Sequence, residues 1–246
     1  MRLYLIALQF LTIIPLPSLR CGERDLGRSM ALFPLVGMTL GFIMVGCNAV
    51  LVPFLPRPVT DLLLIALLAF LTGGLHLDGL ADVCDGLAAR GGRERFLEVM
   101  KDSRIGAVGA VGLIIGILLK YQALLHVPAI EERTALLLFP TVARTAQVVM
   151  TVGAKRARTE GLGAAFIGGA GACHLATAIL ALFVAAYLLL GWHGVGLSAI
   201  LLALAGMCRV YFQHRLGGIT GDVIGCMSEL MEICCLLLFL AMNRTT

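Results

Sequence analysis

The sequence predicts an all-α integral membrane protein that crosses the bilayer several times. Of its 246 residues, 59% are hydrophobic and only 14% are charged, and the mean hydropathy is +0.96. A soluble domain carries about 25% charged residues, so this chain has too few polar side chains to cover itself with a surface compatible with water. Long apolar segments in such a chain favour membrane-spanning helices, which satisfy their own backbone hydrogen bonds.

The first apolar stretch, residues 3–16, is short for a membrane span, which needs about 20 residues. It is followed closely by Pro17, and no small-residue cleavage site of a secretory signal comes before the charged run that begins at Arg20. We interpret the stretch as an interfacial or half-inserted helix, with a true span as the alternative.

Seven longer apolar segments follow, and each is long enough to cross the hydrocarbon core as a helix. Proline and glycine inside them are tolerated in membrane helices, and glycine favours close packing. We therefore expect a single transmembrane catalytic domain over residues 1–246, a helix bundle with about seven spans. The segments are 30–55, 61–77, 105–127, 134–154, 173–192, 195–213 and 223–242.

The basic residues predict the orientation of these spans. If the connection at about 18–29 is cytoplasmic, alternation places the connections at about 78–104, 155–172 and 214–222 on the same side. These four connections contain twelve Lys and Arg residues, whereas the opposite connections and the C-terminal tail contain three, Arg57, Arg133 and Arg244. Basic residues concentrate in cytoplasmic loops, so we expect a multi-pass protein of the cell (inner or plasma) membrane whose polar motifs face the cytoplasm.

The eight cysteines predict no disulfide framework. They include no CxxC pair and lie mostly within the apolar segments, where a free thiol behaves as a small apolar side chain. We expect them to contribute to packing rather than to a zinc site.

An acidic motif begins at the cytoplasmic end of the second span, in Gly-Gly-Leu-His-Leu-Asp-Gly-Leu-Ala-Asp-Val-Cys-Asp-Gly at 73–86. Asp78, Asp82 and Asp85 are spaced i, i+4, i+7, so a helix would place all three carboxylates within about 60° of arc on one face. Hard oxygen ligands of this kind suit Mg²⁺, which bridges carboxylates to substrate phosphates. A solvated acidic face or helix capping is the alternative.

His76 precedes the aspartates in the same motif. It could act as a general base or a metal ligand, or it could be a boundary histidine with a structural partner. The sequence leaves these three roles open.

Two basic motifs offer donors for phosphate on the same side. Lys101 and Arg104 come just before a glycine-spaced helix, where backbone N–H groups also favour anions. Arg156 and Arg158 precede a glycine-rich turn with Gly161 and Gly163. Ordinary flanking of a membrane span is the alternative for the first motif, and binding of anionic lipid headgroups is the alternative for the second.

The motif Gly-Gly-Ile-Thr-Gly at 217–221 precedes the last span, and Asp222, Glu229 and Glu232 share one face of that helix. Carboxylates in an apolar segment are costly, so they are usually functional or paired. We expect Asp222, at the membrane edge, to belong to the site together with the aspartates of 78–85. Glu229 and Glu232 lie deeper and have Lys120, Arg144 and Arg209 as available partners.

With these motifs identified, the chain resembles the cobalamin synthase family, the adenosylcobinamide-GDP ribazoletransferases. The resemblance runs in order over nearly the whole chain, and its most specific element is His-Leu-Asp-Gly-Leu-Ala-Asp followed by Asp-Gly at 76–86. Further matching elements are Phe-Leu-Thr at 10–12, Lys-Asp-Ser-Arg-Ile-Gly at 101–106, Glu-Gly-Leu-Gly at 160–163 and Gly-Gly-Ile-Thr-Gly-Asp at 217–222.

The resemblance implies a Mg²⁺-dependent transferase late in coenzyme B12 biosynthesis. Adenosylcobinamide phosphate would pass from adenosylcobinamide-GDP to α-ribazole or its 5′-phosphate, and GMP would leave. Mg²⁺ on the three aspartates would neutralise the diphosphate, basic side chains would hold phosphates, and His76, Asp82 or Asp222 would take the proton of the attacking hydroxyl. The implied partners are the corrinoid and α-ribazole substrates and the lipid bilayer, with no nucleic acid and with a homo-oligomer left open.

Two other functions compete with this one. A CDP-alcohol phosphotransferase shares the opening Asp-Gly-Leu-Ala-Ala-Arg at 85–90, but Val99, Ser103 and Ala107 stand where that pattern requires a glycine and two aspartates. An ion-coupled transporter could use the charged residues of the spans as a relay. Against it, the sequence has no internal repeat, and its densest polar motifs lie at one face of the membrane.

Overall fold

A computed structural model describes residues 1–17, 19, 21–157, 166 and 169–243, and the described part of the chain is almost entirely helical. The chain begins with two short helices, α1 and α2, and a 3₁₀ turn, Met30–Leu32, leads into the first long helix, α3. The helices in chain order are α1 Arg2–Leu11, α2 Glu23–Ser29, α3 Phe33–Leu51, α4 Arg57–Leu71, α5 Leu75–Ala88, α6 Arg93–Val99, α7 Ala107–Leu125, α8 Glu132–Thr151, α9 Ala172–Leu216 and α10 Gly221–Asn243.

Helix α8 forms the centre of the bundle, and almost all of its side chains from Ala135 to Thr151 are buried. Helix α3 packs closely against it through Gly37 and Gly41. A Cβ atom on Gly37 would lie 2.5 Å from the backbone oxygen of Pro140, and one on Gly41 would lie 2.7 Å from that of Leu136. Small residues four positions apart let two membrane helices approach this closely, as expected from the glycines of the spans.

The predicted span 61–77 is wrong at its C-terminal end. Helix α4 stops at Leu71, and α5 begins at Leu75 after a bend of 89°. Gly73 and Gly74 have φ values of +61° and +70°, a left-handed backbone that glycine adopts without steric cost. The two glycines therefore end the span and give the acidic motif a helix of its own.

Helix α9 folds back on itself at Gly191. A straight helix of its 45 residues would be about 68 Å long, more than twice the ~30 Å hydrocarbon core. Gly191 has non-helical angles, with φ 60° and ψ −144°, and a Cβ atom on Gly194 would lie 2.3 Å from the backbone oxygen of Ala186. The two arms correspond to the predicted segments 173–192 and 195–213, although the turn lies at Gly191 rather than at the predicted break, residues 193–194.

With α9 counted once, five helices are long and apolar enough to cross a membrane, or six if α4 and α5 count together as one bent span. The predicted number of seven is therefore not confirmed by helix length and composition, although the helical membrane class is. Helix α1 has ten residues, which correspond to about 15 Å, so this helix is too short to span the core.

The four connections that carry most of the basic residues meet at one end of the bundle, which we call the basic end. Lys155 and Ala157 exchange backbone hydrogen bonds with Ile219, at 2.8 Å and 3.2 Å. Gly169 packs against Gly27 of α2, and Arg93 of α6 donates to the backbone oxygen of Leu216 at 2.6 Å. Residues 23–29, 89–106, 155–157, 169–171 and 217–220 therefore build one continuous face.

Arg57 occupies the opposite end of the bundle. It donates to the backbone oxygens of Leu124, at 3.2 Å, and Val127. It also lies 3.4 Å from the buried carboxylate of Asp61 and 4.0 Å from that of Glu132. These contacts tie the start of α4 to the connection between α7 and α8.

Candidate active site

Helix α5 presents the three aspartates on one face at the basic end, and the expected helix is confirmed over Leu75–Ala88. The Asp78 side chain is exposed, whereas Asp82 and Asp85 are half-buried. Their spacing over adjacent helical turns keeps the carboxylates on the same side of α5. The acidic face is therefore open at Asp78 and partly covered at Asp82 and Asp85.

Glycine residues bring Asp222 next to this face. A Cβ atom on Gly79 would lie 2.5 Å from the backbone oxygen of Asp222 and 3.1 Å from the backbone nitrogen of Cys226. Gly225 faces α5 in return, because its Cβ would lie 3.3 Å from the backbone oxygen of Leu75. The backbone of α10 at Asp222 therefore lies against α5 at Gly79, one residue from Asp78.

Asp85 has a local partner that the sequence analysis did not assign. Its two carboxylate oxygens accept hydrogen bonds from the backbone N–H groups of Gly106 and Gly109, at 2.7 Å and 2.8 Å. These N–H groups stand at the N-terminus of α7, where helices have unpaired donors and favour a negative charge. Asp85 thus caps α7 from a neighbouring helix.

The arrangement of Asp85 changes the predicted three-aspartate metal site. In the part of the chain that the structure describes, no group of three or more His, Cys, Asp and Glu side chains converges to hold a metal ion. Both oxygens of Asp85 already accept backbone hydrogen bonds. A magnesium ion at this face would therefore depend on Asp78 and Asp82, since this ion commonly takes one or two carboxylates together with water and substrate phosphates.

Lys101 and Arg104 lie on the exposed segment between α6 and α7. The Arg104 guanidinium pairs with the carboxylate of Asp102 at 2.7 Å. Hydrogen bonds from the Arg104 side chain and backbone hold the pKa of Asp102 at about 2, and Asp102 raises the pKa of Arg104 in return. Asp102 is therefore ionised at neutral pH, and a phosphate at Arg104 must compete with an existing partner.

Arg156 lies on another part of the basic end. Its segment pairs with Ile219, and its guanidinium is 3.9 Å from the Glu23 carboxylate. Gly218 allows this pairing, because a Cβ atom there would lie 2.4 Å from the backbone nitrogen of Ala157. Arg156 thus flanks the loop that precedes Asp222. The other predicted phosphate residues of this motif, Arg158, Gly161 and Gly163, lie outside the described residues.

His76 is buried below the site rather than exposed in it. Its side chain is only 2% exposed, and its Nε2 atom lies 2.8 Å from the Nε2 atom of Gln147 on α8. A reacting hydroxyl that enters from the basic end would not reach this ring. Of the three roles that the sequence left open, the position of His76 agrees with that of a histidine that has a structural partner.

The deep carboxylates of α10 are fully paired. Lys120 of α7 lies 2.5 Å from both Glu229 and Glu232, and Arg144 of α8 lies 2.8 Å from Glu232. We call these four residues the buried quartet; all four side chains are less than 8% exposed. Of the three basic residues available as partners, Lys120 is the one that pairs with Glu229, whereas Arg209 donates to the backbone oxygen of Val149.

Arg93 is the structural residue of this end that sequence reasoning missed. Besides its bond to Leu216, it approaches the backbone oxygen of Ala157 at 3.5 Å. One side chain thus holds together the connections before α9 and before α10. Its sequence signal, a basic residue in a charged loop, does not differ from that of its neighbours.

The fold and the site together define a class, an all-helical multi-pass membrane protein with an acidic helix face and several guanidinium groups at one end. Residues 3–240 match the family described as cobalamin-5-phosphate synthase. The chain belongs to that family, and it is a membrane-embedded transferase of cobalamin biosynthesis.

Three relatives illustrate the similarity, and each bears the name adenosylcobinamide-GDP ribazoletransferase. The protein of Geotalea daltonii is 60% identical over 244 residues, which cover 99% of this chain and 98% of the relative. That of Acetivibrio thermocellus is 37% identical and covers 96% of each chain. That of Pseudomonas syringae pv. syringae is 38% identical over 94% of this chain and 96% of the relative. No solved structure matches the chain.

Proposed function

We propose that this transferase moves adenosylcobinamide phosphate from adenosylcobinamide-GDP to α-ribazole or α-ribazole 5′-phosphate and releases GMP. The observation that carries the proposal is the 60% identity, over 99% of the chain, with a relative that is named for this reaction. The geometry supports it, because the acidic face of α5 and the start of α10 meet at the end that carries the basic connections.

The reaction needs a proton acceptor and a site for the diphosphate. A ribose hydroxyl attacks the phosphorus that carries cobinamide, the bond from that phosphorus to the GMP oxygen breaks, and the hydroxyl proton passes to a base. Asp82 and Asp222 are the carboxylates that we assign to this step, because both stand where α5 meets α10 and His76 is buried. Arg104 and Arg156 lie at the same end and supply positive charge for phosphates.

Mg²⁺ is the cofactor that we propose for this site, with Asp78 and Asp82 as its protein ligands. When bound, it would offset the negative charge of the diphosphate and of the departing GMP. Asp85 has a different part in this scheme. By capping α7 it fixes the segment 102–106, which carries Arg104, relative to the acidic face.

The two competing functions lose their support. The family match covers residues 3–240 and names a synthase. A transporter relay would depend on the charges of the buried quartet. In the quartet two cations and two carboxylates pair with each other, so these charges already have structural partners.

The test is a transferase assay with purified protein, Mg²⁺, adenosylcobinamide-GDP and either acceptor, in which both the cobalamin product and GMP are measured. We expect product with the wild-type protein. Asp78→Asn and Asp82→Asn should raise the Mg²⁺ concentration needed for half-maximal rate and lower the rate by about 100-fold or more. Glu94→Gln, an exposed change on α6, is the matched control and should behave as wild type.

Two results would contradict the proposal. Absence of a cobalamin product from folded wild-type protein would refute the reaction. Normal turnover of Asp78→Asn and Asp82→Asn at limiting Mg²⁺ would refute the metal site and leave the reaction standing. Thermal unfolding of each variant shows whether a loss of rate reflects a loss of fold.

A further inference from the structure

A cleft of about 760 Å³ opens at the basic end, between the C-terminal end of α5, helix α6 and the segment that precedes α7. Its volume falls within the roughly 300–1,000 Å³ of small-molecule sites. Its apolar lining comes from Ala88, Ala89, Val99 and Ile105. Its charged lining comes from Asp85, Arg90, Arg95, Glu98, Asp102 and Arg104.

The six charges are not equally available to a ligand. Asp85 is engaged by the backbone of α7, and Asp102 receives hydrogen bonds from the backbone and the side chain of Arg104. Arg90 is exposed and makes no hydrogen bond or ion pair with any part of the chain that the structure describes. Within the described part of the chain, the Glu98 carboxylate accepts a hydrogen bond from Arg95 at 2.8 Å, and its side chain is 68% exposed. The cleft therefore offers one available cation and one carboxylate with unused acceptor capacity.

This pair of charges fits a guanine nucleotide. A guanidinium binds a phosphate through parallel hydrogen bonds. A carboxylate accepts two hydrogen bonds side by side, and guanine presents two adjacent donors, its ring N1–H and its exocyclic amino group. Adenine lacks this pair of donors, and hypoxanthine lacks the amino group. The small apolar side chains provide a surface for the flat base.

The cleft also lies at a suitable distance from the reacting groups. Asp85 lines it, and Asp78 stands seven residues earlier on the same face of α5, which corresponds to about 10 Å along the helix. This separation is comparable with the length of an extended nucleoside diphosphate. A nucleoside diphosphate whose nucleoside and first phosphate lie in the cleft can therefore extend its second phosphate along the acidic face toward Asp82.

We propose that this cleft binds the guanosine monophosphate part of the donor, with Arg90 on its phosphate and Glu98 on the edge of the guanine. This assignment rests on the proposed function, and it adds the place where the leaving group is held. The assignment makes the cleft selective for a guanine nucleotide, because only guanine presents this pair of donors to a carboxylate.

The experiment measures equilibrium binding of GMP, IMP and guanosine to purified full-length protein in detergent with Mg²⁺. We expect Arg90→Gln to weaken GMP binding by about 10- to 100-fold, the usual effect of losing a charge-assisted hydrogen bond, and to leave guanosine binding unchanged. Glu98→Gln should bring the affinities for GMP and IMP close together. Glu94→Gln on the same helix and the exposed Arg133→Gln at the opposite end are the matched controls, and both should bind GMP as the wild type does.

Three outcomes would overturn the assignment. One is the absence of GMP binding to the wild-type protein, and another is GMP binding by both cleft variants that equals that of the controls. The third outcome concerns lipid, measured by binding to vesicles with and without phosphatidylglycerol. If Arg90→Gln keeps its affinity for GMP but loses the preference for vesicles that contain this anionic lipid, Arg90 binds a lipid headgroup. If the wild-type protein forms cobalamin in any of these cases, only the cleft assignment fails; if it forms none, the proposed function fails independently of nucleotide binding.

Discussion

At the scale of single residues, the carboxylates of this protein differ in role because their surroundings differ. Asp78 is exposed on α5, whereas Asp85 on the same face is bound by two backbone N–H groups. Asp102 holds Arg104 in an exposed pair, which contributes little to stability because water screens it. Glu232 lies in the bundle core between two cations. The residue type alone could not assign these roles, because each depends on which donors lie nearby.

The buried quartet gives a prediction about stability. Lys120→Met removes one of two cations and leaves a net negative charge buried between α7, α8 and α10. Breaking a buried pair in this way typically costs about 3–5 kcal/mol, so the thermal unfolding temperature in detergent should fall strongly. The double variant Lys120→Met/Glu229→Gln restores neutrality and should recover part of the loss. A single variant as stable as the wild type, or a double variant no better than the single one, would contradict the pairing.

At the scale of helices, glycine determines how closely the elements of the site approach. The face of α7 that carries Gly109, Gly112 and Gly116 accommodates α5, because Cβ atoms there would lie 3.0 Å or less from atoms of α5. On its other side α5 meets α10 at Gly79. Helix α5 is thus held between two helices, and its acidic face is fixed relative to Asp222. The site depends on helix spacing as much as on its charged residues.

Replacing Gly79 tests this dependence. Gly79→Ala places a methyl group against the backbone oxygen of Asp222, 2.5 Å away, so α10 must shift. A displacement of about 1 Å can reduce a rate by about 100-fold, and we expect a loss of turnover of that order with the protein still folded. Gly46→Ala on α3 is the matched control, because a Cβ atom there meets nothing within 4 Å. Equal turnover in both variants would show that the close approach does not position the site.

At the scale of the whole molecule, the bundle has two unlike ends. The basic end holds the acidic face, the cleft and the loops that Arg93 links, whereas Arg57 with its two carboxylates closes the other end. Basic loops remain on the cytoplasmic side during insertion, and nucleotides are present on that side. We therefore propose that the basic end faces the cytoplasm, where a nucleotide donor is available.

Labelling of single cysteines tests the orientation. In a variant without its native cysteines, a cysteine at Gly92, between α5 and α6, should resist a membrane-impermeant thiol reagent added to intact cells. A cysteine at Ile130, which is 91% exposed at the opposite end, should react. Both should react in permeabilised cells, which controls for accessibility. Labelling at Gly92 from outside would reverse the topology and place the site on the wrong side for its donor.

Composition and local pattern were enough to determine the class of the protein and most of its helices. Apolar length predicts helices because a lipid environment leaves the backbone few other ways to satisfy its hydrogen bonds. The spacing of Asp78, Asp82 and Asp85 determines that they share a face, and the division of α9 into two arms is visible as a break between two apolar segments at 193–194. The family resemblance was also available, because the motifs at 76–86, 101–106 and 217–222 are contiguous in the chain.

The tertiary structure decided which groups meet. That Asp85 caps α7, that His76 lies against Gln147 and that Lys120 rather than Arg209 pairs with Glu229 all depend on contacts between residues far apart in sequence. Such contacts follow from helix packing, in which many glycine and side-chain contacts contribute together, and no local pattern encodes the result. The bend at Gly73 and Gly74 also depends on tertiary contacts. Glycine permits a left-handed turn, but only the packing of α5 between α7 and α10 makes the chain adopt it.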